Sequence, residues 1–243
     1  MGHTSLSVNI NKVATIRNAR GGNHPNVLQF ALDCYKYGAE GITVHPRPDE
    51  RHIRYKDVLD LGLHFPKTDC EFNIEGFPSS DFIELVLKTK PNQCTLVPDP
   101  PGVLTSNSGW NTIKDFDLLK NTISLLHENN IRVSLFMDTN IDFIKIAKEL
   151  NADRIEFYTG YYAEDFDFNK EKAILRYKEA YQYSISIGLE INAGHDLNLA
   201  NLSFLKEHMP ELKEVSIGHA LISDCLYFGL ENVIPMYKKQ LNN

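Results

Sequence analysis

Residues 132–158 read RVSLFMDTNIDFIKIAKELNADRIEFY, and they hold one complete structural repeat. Arg132–Met137 is a short apolar run of the length and composition of a strand. Ile141, Ile144, Ile146 and Leu150 then recur at helical spacing. In Leu150-Asn151-Ala152 the asparagine tolerates the left-handed conformation that ends a helix, so this joint reads as a cap feeding the next strand, Arg154–Tyr158. A strand, a helix and a second strand in that order imply parallel pairing, because the crossover helix must carry the chain back.

The same unit extends in both directions. Candidate strands lie at Leu6–Ile10, Gly41–His45, Glu71–Glu75, Gln93–Val97, Glu190–Ala193 and Glu214–Ile217, which makes eight in all. The joints Tyr37-Gly38-Ala39, Asn129-Asn130-Ile131 and Ile187-Gly188-Leu189 repeat the cap. An open doubly wound sheet usually carries a glycine-rich turn after its first strand, and Asn9-Ile10-Asn11-Lys12 is not one. No linker of Pro, Ser or like charges divides the chain. The sequence therefore predicts an α/β protein with one domain over residues 1–243, a (β/α)8 TIM barrel. Two long loops are expected on the side where strands end, at 98–111 and 159–168, each either a lid or a solvated loop.

With 243 residues, 42% of them hydrophobic, the chain can bury a sizeable core. Its net charge of −7 argues against a nucleic-acid partner, which would need clustered Lys and Arg. No apolar run reaches the roughly 18 residues of a membrane span, and no signal-peptide pattern opens the chain. Cys34, Cys70, Cys94 and Cys225 form no CxxC pair and no zinc-ligand spacing with histidine, so they read as free, mostly buried thiols. The expected location is cytoplasmic.

In such a barrel the chemistry sits at the C-terminal ends of the strands. Strand one delivers Asn9, Asn11 and Lys12, strand two His45-Pro46-Arg47, and strand three Asn73-Ile74-Glu75-Gly76. Strand five reaches Asp138, strand six carries Glu156 and Thr159, strand seven ends in Gly194-His195, and strand eight in Gly218-His219. A lone histidine at a strand end is more often structural than catalytic. Three of them, His45, His195 and His219, facing one mouth reverse that reading, since imidazole exchanges protons near neutral pH. Glu75 and Glu156 are carboxylates whose proton affinity burial would raise, although an inward structural role for Glu156 is nearly as good an account. Arg17 and Arg20 before Gly21-Gly22, and Arg47, Arg51, His52 and Arg54, form two basic groups in an acidic protein. They suggest two anionic groups, against the alternative of a solvated charged face. Gly194 and Gly218 permit close backbone approach to a phosphate.

At these residues the sequence resembles the PdxJ family of vitamin B6 synthesis, the pyridoxine 5′-phosphate synthases. The resemblance runs through Ser7-Val8-Asn9-Ile10-Asn11, residues 14–21, residues 41–47, Arg51-His52-Ile53 and Asn73-Ile74-Glu75. It continues through residues 94–98, residues 133–136, Ile155-Glu156, Asn192-Ala193-Gly194-His195 and Ile217-Gly218-His219-Ala220. The resemblance implies a transferase that needs no cofactor. It condenses 3-amino-2-oxopropyl phosphate with 1-deoxy-D-xylulose 5-phosphate to pyridoxine 5′-phosphate, phosphate and water. By the same resemblance His45 and Glu75 are proton acceptors, His195 is a proton donor and Glu156 stabilises a transition state. Asn9, Arg20, Gly218 and His219 would contact the amino-ketone phosphate, and Arg47, His52 and Thr105 the deoxyxylulose phosphate.

The chain departs from the family twice. Asn11-Lys12 stands where many members have Asp-His at the deoxyxylulose phosphate, and Asp196 stands where the family often has glycine, with its side chain expected to point outward. Lys12 is the one lysine at a strand end, so a covalent enzyme imine is not suggested. The family assembles as octamers, and Tyr35, Tyr37, Tyr227 and Phe228 are candidates to face another subunit. Two other readings remain: a metal-dependent lyase or aldolase using His45, Glu75, Asp138, His195 and His219, though without HxH or HExxH spacing, and a barrel that binds a sugar phosphate without turnover.

Overall fold

A computed structural model of the protein describes residues 2–99 and 108–242. The chain runs β1 (Ser5–Asn9), α1 (Asn11–Arg20), α2 (Val27–Lys36), β2 (Gly41–Val44), α3 (Tyr55–Gly62), β3 (Glu71–Gly76), α4 (Ser80–Thr89) and β4 (Gln93–Leu96). It continues through α5 (Phe116–Glu128), β5 (Arg132–Met137), α6 (Ile141–Glu149), β6 (Arg154–Tyr158), α7 (Gly160–Ser186), β7 (Glu190–Gly194), α8 (Leu202–His208), β8 (Glu214–Ile217), α9 (His219–Phe228) and α10 (Leu230–Leu241). All eight strands pair in parallel in sequence order, and β1 closes on β8 with Ser5 opposite Glu214. The predicted barrel is present. The four predicted joints all turn through a left-handed residue: Gly38 at φ 102°, Asn130 at 59°, Asn151 at 65° and Gly188 at 69°.

Strand residues alternate strictly. Leu6, Val8, Ile42, Val44, Phe72, Ile74, Leu96, Val133, Leu135, Ile155, Phe157, Ile191, Val215 and Ile217 are buried against the helices. Their neighbours in sequence, Ser7, Thr43, Asn73, Thr95, Ser134, Glu156, Asn192 and Ser216, are buried inside the barrel. A barrel interior is ordinarily packed with Val, Ile and Leu; this one is polar and stays closed by hydrogen bonding. Ser7 Oγ lies 2.8 Å from Thr43 Oγ1, Asn73 Nδ2 donates to Thr43 Oγ1 at 3.3 Å, and Thr95 Oγ1 donates to Asn73 Oδ1 at 3.0 Å. At the N-terminal end the barrel is shut by ion pairs: Glu71 holds Arg132 and Arg154, and Arg154 Nε donates to Glu190 Oε2 at 2.8 Å. The room for chemistry is therefore at the other end, where the strands finish.

One expectation about the loops is corrected. Residues 160–168 are helical, the first part of α7, and not a loop. Their polar composition hides a packed face. Tyr162 is fully buried, its hydroxyl donates to the Asn201 carbonyl at 2.6 Å, and its ring meets Phe166 and Tyr177. Asn169 then leaves helical geometry (φ −160°, ψ 92°), and its side-chain oxygen accepts from Lys172 N–H at 2.9 Å, a cap inside the run. Most of the other expected loop, 98–111, including Thr105, lies outside the described residues. Cys34, Cys70 and Cys94 are buried and Cys225 is half-buried, all as free thiols. No helix among the described residues is long and apolar enough to cross a membrane.

Candidate active site

The strand ends enclose a cavity of about 630 Å³. Asn9, Asn11, Lys12, His45, Arg47, His52, Glu75, Glu156, His195, Asp196, Gly218 and His219 all line it. A second cavity of about 190 Å³ opens beside it between Pro46, Tyr55, Phe77 and Phe82, sharing His45, Arg47 and Arg51. One sequence-derived candidate is not in the cavity wall: Arg20 is exposed at the end of α1. Thr105 falls outside the described residues. Arg17 is not an anion ligand either: it is buried, and its guanidinium is committed to Asp57 and to the His52 carbonyl.

Each acid/base group is placed by its strand. Glu75 ends β3, where Asn9 Nδ2 donates to its Oε2 at 3.5 Å and His45 Nδ1 lies 3.8 Å away. Burial pushes the Glu75 carboxyl up to about 8; the acidic Glu214 pushes the same way, and Arg47 opposes both. Burial raises Glu156 as well, helped by the nearby Glu75 carboxylate. The same burial, with Arg47 and His52 beside it, holds His45 well below the ordinary imidazole range, so the ring is neutral. His52 is brought to about 4 by burial and then by Arg47 and Arg51. Its Nδ1 accepts from Ile53 N–H at 2.9 Å, which leaves Nε2 as a donor. Neutral His45 and His52 beside the proton-holding carboxyls of Glu75 and Glu156 in one cavity can pass protons to and from a substrate at neutral pH.

Two features with the chemistry to hold an anion frame these groups. Helices α1 and α9 start directly at the ends of β1 and β8, and neither has a side-chain cap or an acidic residue in its first turn. Lys12 and His219 stand on those first turns, so the Lys12 ammonium, the His219 imidazole and helix N-terminal N–H groups converge where a phosphate binds well, although in α1 the Asn11 N–H already donates to Asn9 Oδ1 at 3.1 Å. The second feature is the β2–α3 loop, with Arg47, Arg51 and His52. Arg47 is buried and pairs with Asp99 at 3.0 Å. Of the two departures from the family pattern, Asn11 serves the backbone: its Oδ1 accepts from His45 N–H at 3.0 Å. Asp196, expected to point outward, instead lines the cavity with its carboxylate on His195.

Sequence reading missed Thr15, Phe136 and Ser216 as wall residues and Asp99 as the partner of Arg47, while Arg51, read as part of a basic group, does line the cavity. It also missed the reason for Gly194. A Cβ there would stand 2.2 Å from Glu156 Oε1, so only glycine lets that carboxylate lie across β7. Gly194→Ala is expected to displace Glu156 and lower turnover about 10²-fold, the cost of an ångström-scale misplacement. A steady-state assay beside a circular dichroism spectrum checks this, and unchanged turnover in a folded variant would show that Glu156 can lie elsewhere. No group of three or more His, Cys, Asp or Glu side chains among the described residues is arranged to hold a metal ion. Asp138, weighed as a ligand, accepts from Gly109 N–H instead.

Comparison with known proteins matches this architecture at two levels. Among solved structures the chain is similar to the 3-keto-L-gulonate-6-phosphate decarboxylase of Vibrio cholerae, with TM-score 0.67 and 9% identity over 99% of this chain and 98% of the other. It is also similar to a phosphoribosylanthranilate isomerase of Thermotoga maritima, with TM-score 0.59 and 13% identity over 98% of each chain. These likenesses show the barrel alone. Sequence relatives go further. The pyridoxine 5′-phosphate synthase of Parabacteroides distasonis is 56% identical over 240 residues, covering 99% of this chain and all of the relative. That of Cytophaga hutchinsonii is 56% identical over 238 residues, covering 98% of this chain and 99% of the relative. The family model described as pyridoxal phosphate biosynthesis protein PdxJ matches residues 6–243. Because that match runs from the first strand to the last helix, through every strand end that builds the cavity, the chain belongs to the PdxJ family.

Proposed function

We propose that this chain is a pyridoxine 5′-phosphate synthase. It condenses 3-amino-2-oxopropyl phosphate with 1-deoxy-D-xylulose 5-phosphate to pyridoxine 5′-phosphate, inorganic phosphate and water. One observation carries the reading beyond family membership: the cavity sets its acid/base groups between two separate anion-binding features, as two phosphorylated substrates require. The amino-ketone phosphate fits the α9 N-terminus with Asn9, Gly218 and His219; the deoxyxylulose phosphate fits Arg47 and His52, with Asn11 and Lys12 at the start of α1 beside it. Imine formation, loss of water and phosphate, and ring closure each move protons on and off carbon and oxygen. His45 and Glu75 take protons from carbon, His195 returns one to a leaving oxygen, and Glu156 faces the charge that develops between them. Arg20, from the end of α1, and Thr105, in the chain between β4 and α5, belong to the same proposal as contacts to the amino-ketone phosphate and the deoxyxylulose phosphate respectively.

The same reading includes a cytoplasmic homo-oligomer, an octamer by the family's pattern. Exposed Leu226, Tyr227 and Phe228 at the end of α9 support a subunit contact, and light scattering tests it. The activity is tested with chelator-treated protein and both substrates, following phosphate and pyridoxine 5′-phosphate together. Equal amounts of the two products, formed only when both substrates are present, are expected. Binding of either substrate without product would leave a phosphate-binding barrel, and loss of activity on chelation would favour the metal-dependent lyase.

A further inference from the structure

At the end of β7 two consecutive non-glycine residues occupy the left-handed region, His195 at φ 88° and Asp196 at φ 56°. Such a pair is costly for side chains with a Cβ and persists where the surroundings over-determine it. Here they do. The fully buried Thr159 hydroxyl lies 2.7 Å from the Gly194 carbonyl oxygen and 2.5 Å from that of His195, and the Tyr158 ring meets the imidazole edge-on at 4.9 Å. The result is a direct contact between neighbours in sequence: Asp196 Oδ2 lies 2.7 Å from His195 Nδ1. A carboxylate only accepts, so the proton in that bond sits on Nδ1. The hydrogen bond from His195, with His219 and Lys12 facing the same carboxylate, holds Asp196 below the ordinary carboxyl range, so it is ionised whenever His195 is working.

We infer that Asp196 is a positioning residue for His195: it fixes the ring orientation and the Nδ1–H form, so that Nε2 is the nitrogen that exchanges a proton with substrate. The inference rests on the proton-donor role proposed above for His195. In that step the Nε2 proton passes to the leaving oxygen, which departs as water, and the ring is left as neutral Nδ1–H imidazole. The carboxylate already accepts from that form, so nothing has to rotate at the moment of transfer. Where the family often has glycine, the left-handed backbone is free of strain but the ring has no carboxylate partner at this place. This chain accepts the strained backbone and gains the partner.

The test is Asp196→Gly, a change that suits φ 56° and therefore does not endanger the fold. The imidazole nitrogens of histidine-labelled protein are read by 15N NMR, with His195→Gln to assign the signal. Native protein is expected to show neutral His195 protonated on Nδ1, and the variant a shift toward the Nε2–H form. Turnover of the variant should fall about 10–100-fold, less than for a buried dyad because Asp196 is half-exposed, while KM for each substrate stays within about threefold. A native Nε2–H signature, an unchanged signature in the variant, or turnover preserved with a lower KM would overturn the inference. The last result would make Asp196 a brake on phosphate binding. If the native chain makes no product at all, the proposed reaction fails, and the NMR arm still decides whether the pair exists.

Discussion

Glu75→Gln is expected to lower turnover by about 10²–10⁴-fold, the range for a positioned general base, with KM changed far less. Gln keeps the shape of the side chain and still accepts from Asn9 Nδ2, but it cannot take up a proton. The pH dependence makes the test specific. Burial places the Glu75 carboxyl near 8, so a base at this position is blocked by its own proton below that pH. Log kcat/KM is therefore expected to rise with a midpoint near 8, and the limb should vanish from the residual activity of the variant. A midpoint between 4 and 5 would show the carboxylate solvated and remove burial from the account. Stability should move in the same window. A carboxyl raised in the folded state favours folding below its unfolded value and loses that contribution as pH climbs through the folded one. Native protein should thus lose stability relative to Glu75→Gln between about pH 4.5 and 8, by at most about 1.4 kcal/mol per pH unit. Equal thermal shifts at pH 5 and pH 9 would contradict the burial that underlies both expectations.

Why Glu75 could be picked out from sequence, and why its neighbours could not, follows from which forces are local. The barrel was legible because each unit repeats its own signals: the Asn151 cap, the helical spacing after it, and the short strand beyond. All four expected caps sit in left-handed backbone, since that conformation is dictated by the residue itself. Residues 160–168 were misread because Tyr162 is buried by Tyr177 and by the Asn201 carbonyl, partners that lie 15 and 39 positions away. In Ser5-Leu6-Ser7-Val8-Asn9 polar and apolar residues alternate, and a period of two ordinarily marks a solvated face. Here its polar half is the barrel interior. At the site, strand-end position identified His45, Glu75, His195 and His219, because a parallel barrel brings all such ends together. It could not reveal the Glu156 oxygen beside Gly194 or the Asp99 carboxylate on Arg47, which depend on side-chain paths across the barrel. Arg17 reads as an anion ligand because Arg17 and Arg20 precede Gly21-Gly22 in a stretch of little hydrophobic content, which folds as the helix α1. Only the position of Asp57, 40 residues on, shows otherwise.

That correction carries the largest expected effect on stability. Arg17 leaves α1 with a side chain about 2% exposed, and its Nη1 meets Asp57 Oδ1 at 2.5 Å. Nη2 donates to the His52 carbonyl at 3.1 Å and Nε to Asn18 Oδ1 at 3.0 Å, while Asn18 Nδ2 donates to the same carbonyl at 2.8 Å. Asp57 Oδ2 in turn accepts from Arg54 N–H at 2.8 Å and so caps α3. One guanidinium therefore ties α1 to the loop that carries Arg47, Arg51 and His52. Removing a single partner of a buried pair strands the other charge, at a cost of about 3–5 kcal/mol. For a chain of this length that corresponds to a fall in Tm of roughly 6–20 °C for Arg17→Leu. The double variant Arg17→Leu/Asp57→Leu should recover part of the loss, because no buried carboxylate is then left unpaired. Its remaining deficit should appear as a raised KM for the substrate whose phosphate meets His52, with the substrate held at the α9 N-terminus unaffected. A single variant that melts within 2 °C of native protein, or a double variant less stable than the single, would show that the loop is held by its own packing and that Arg17 is a passenger.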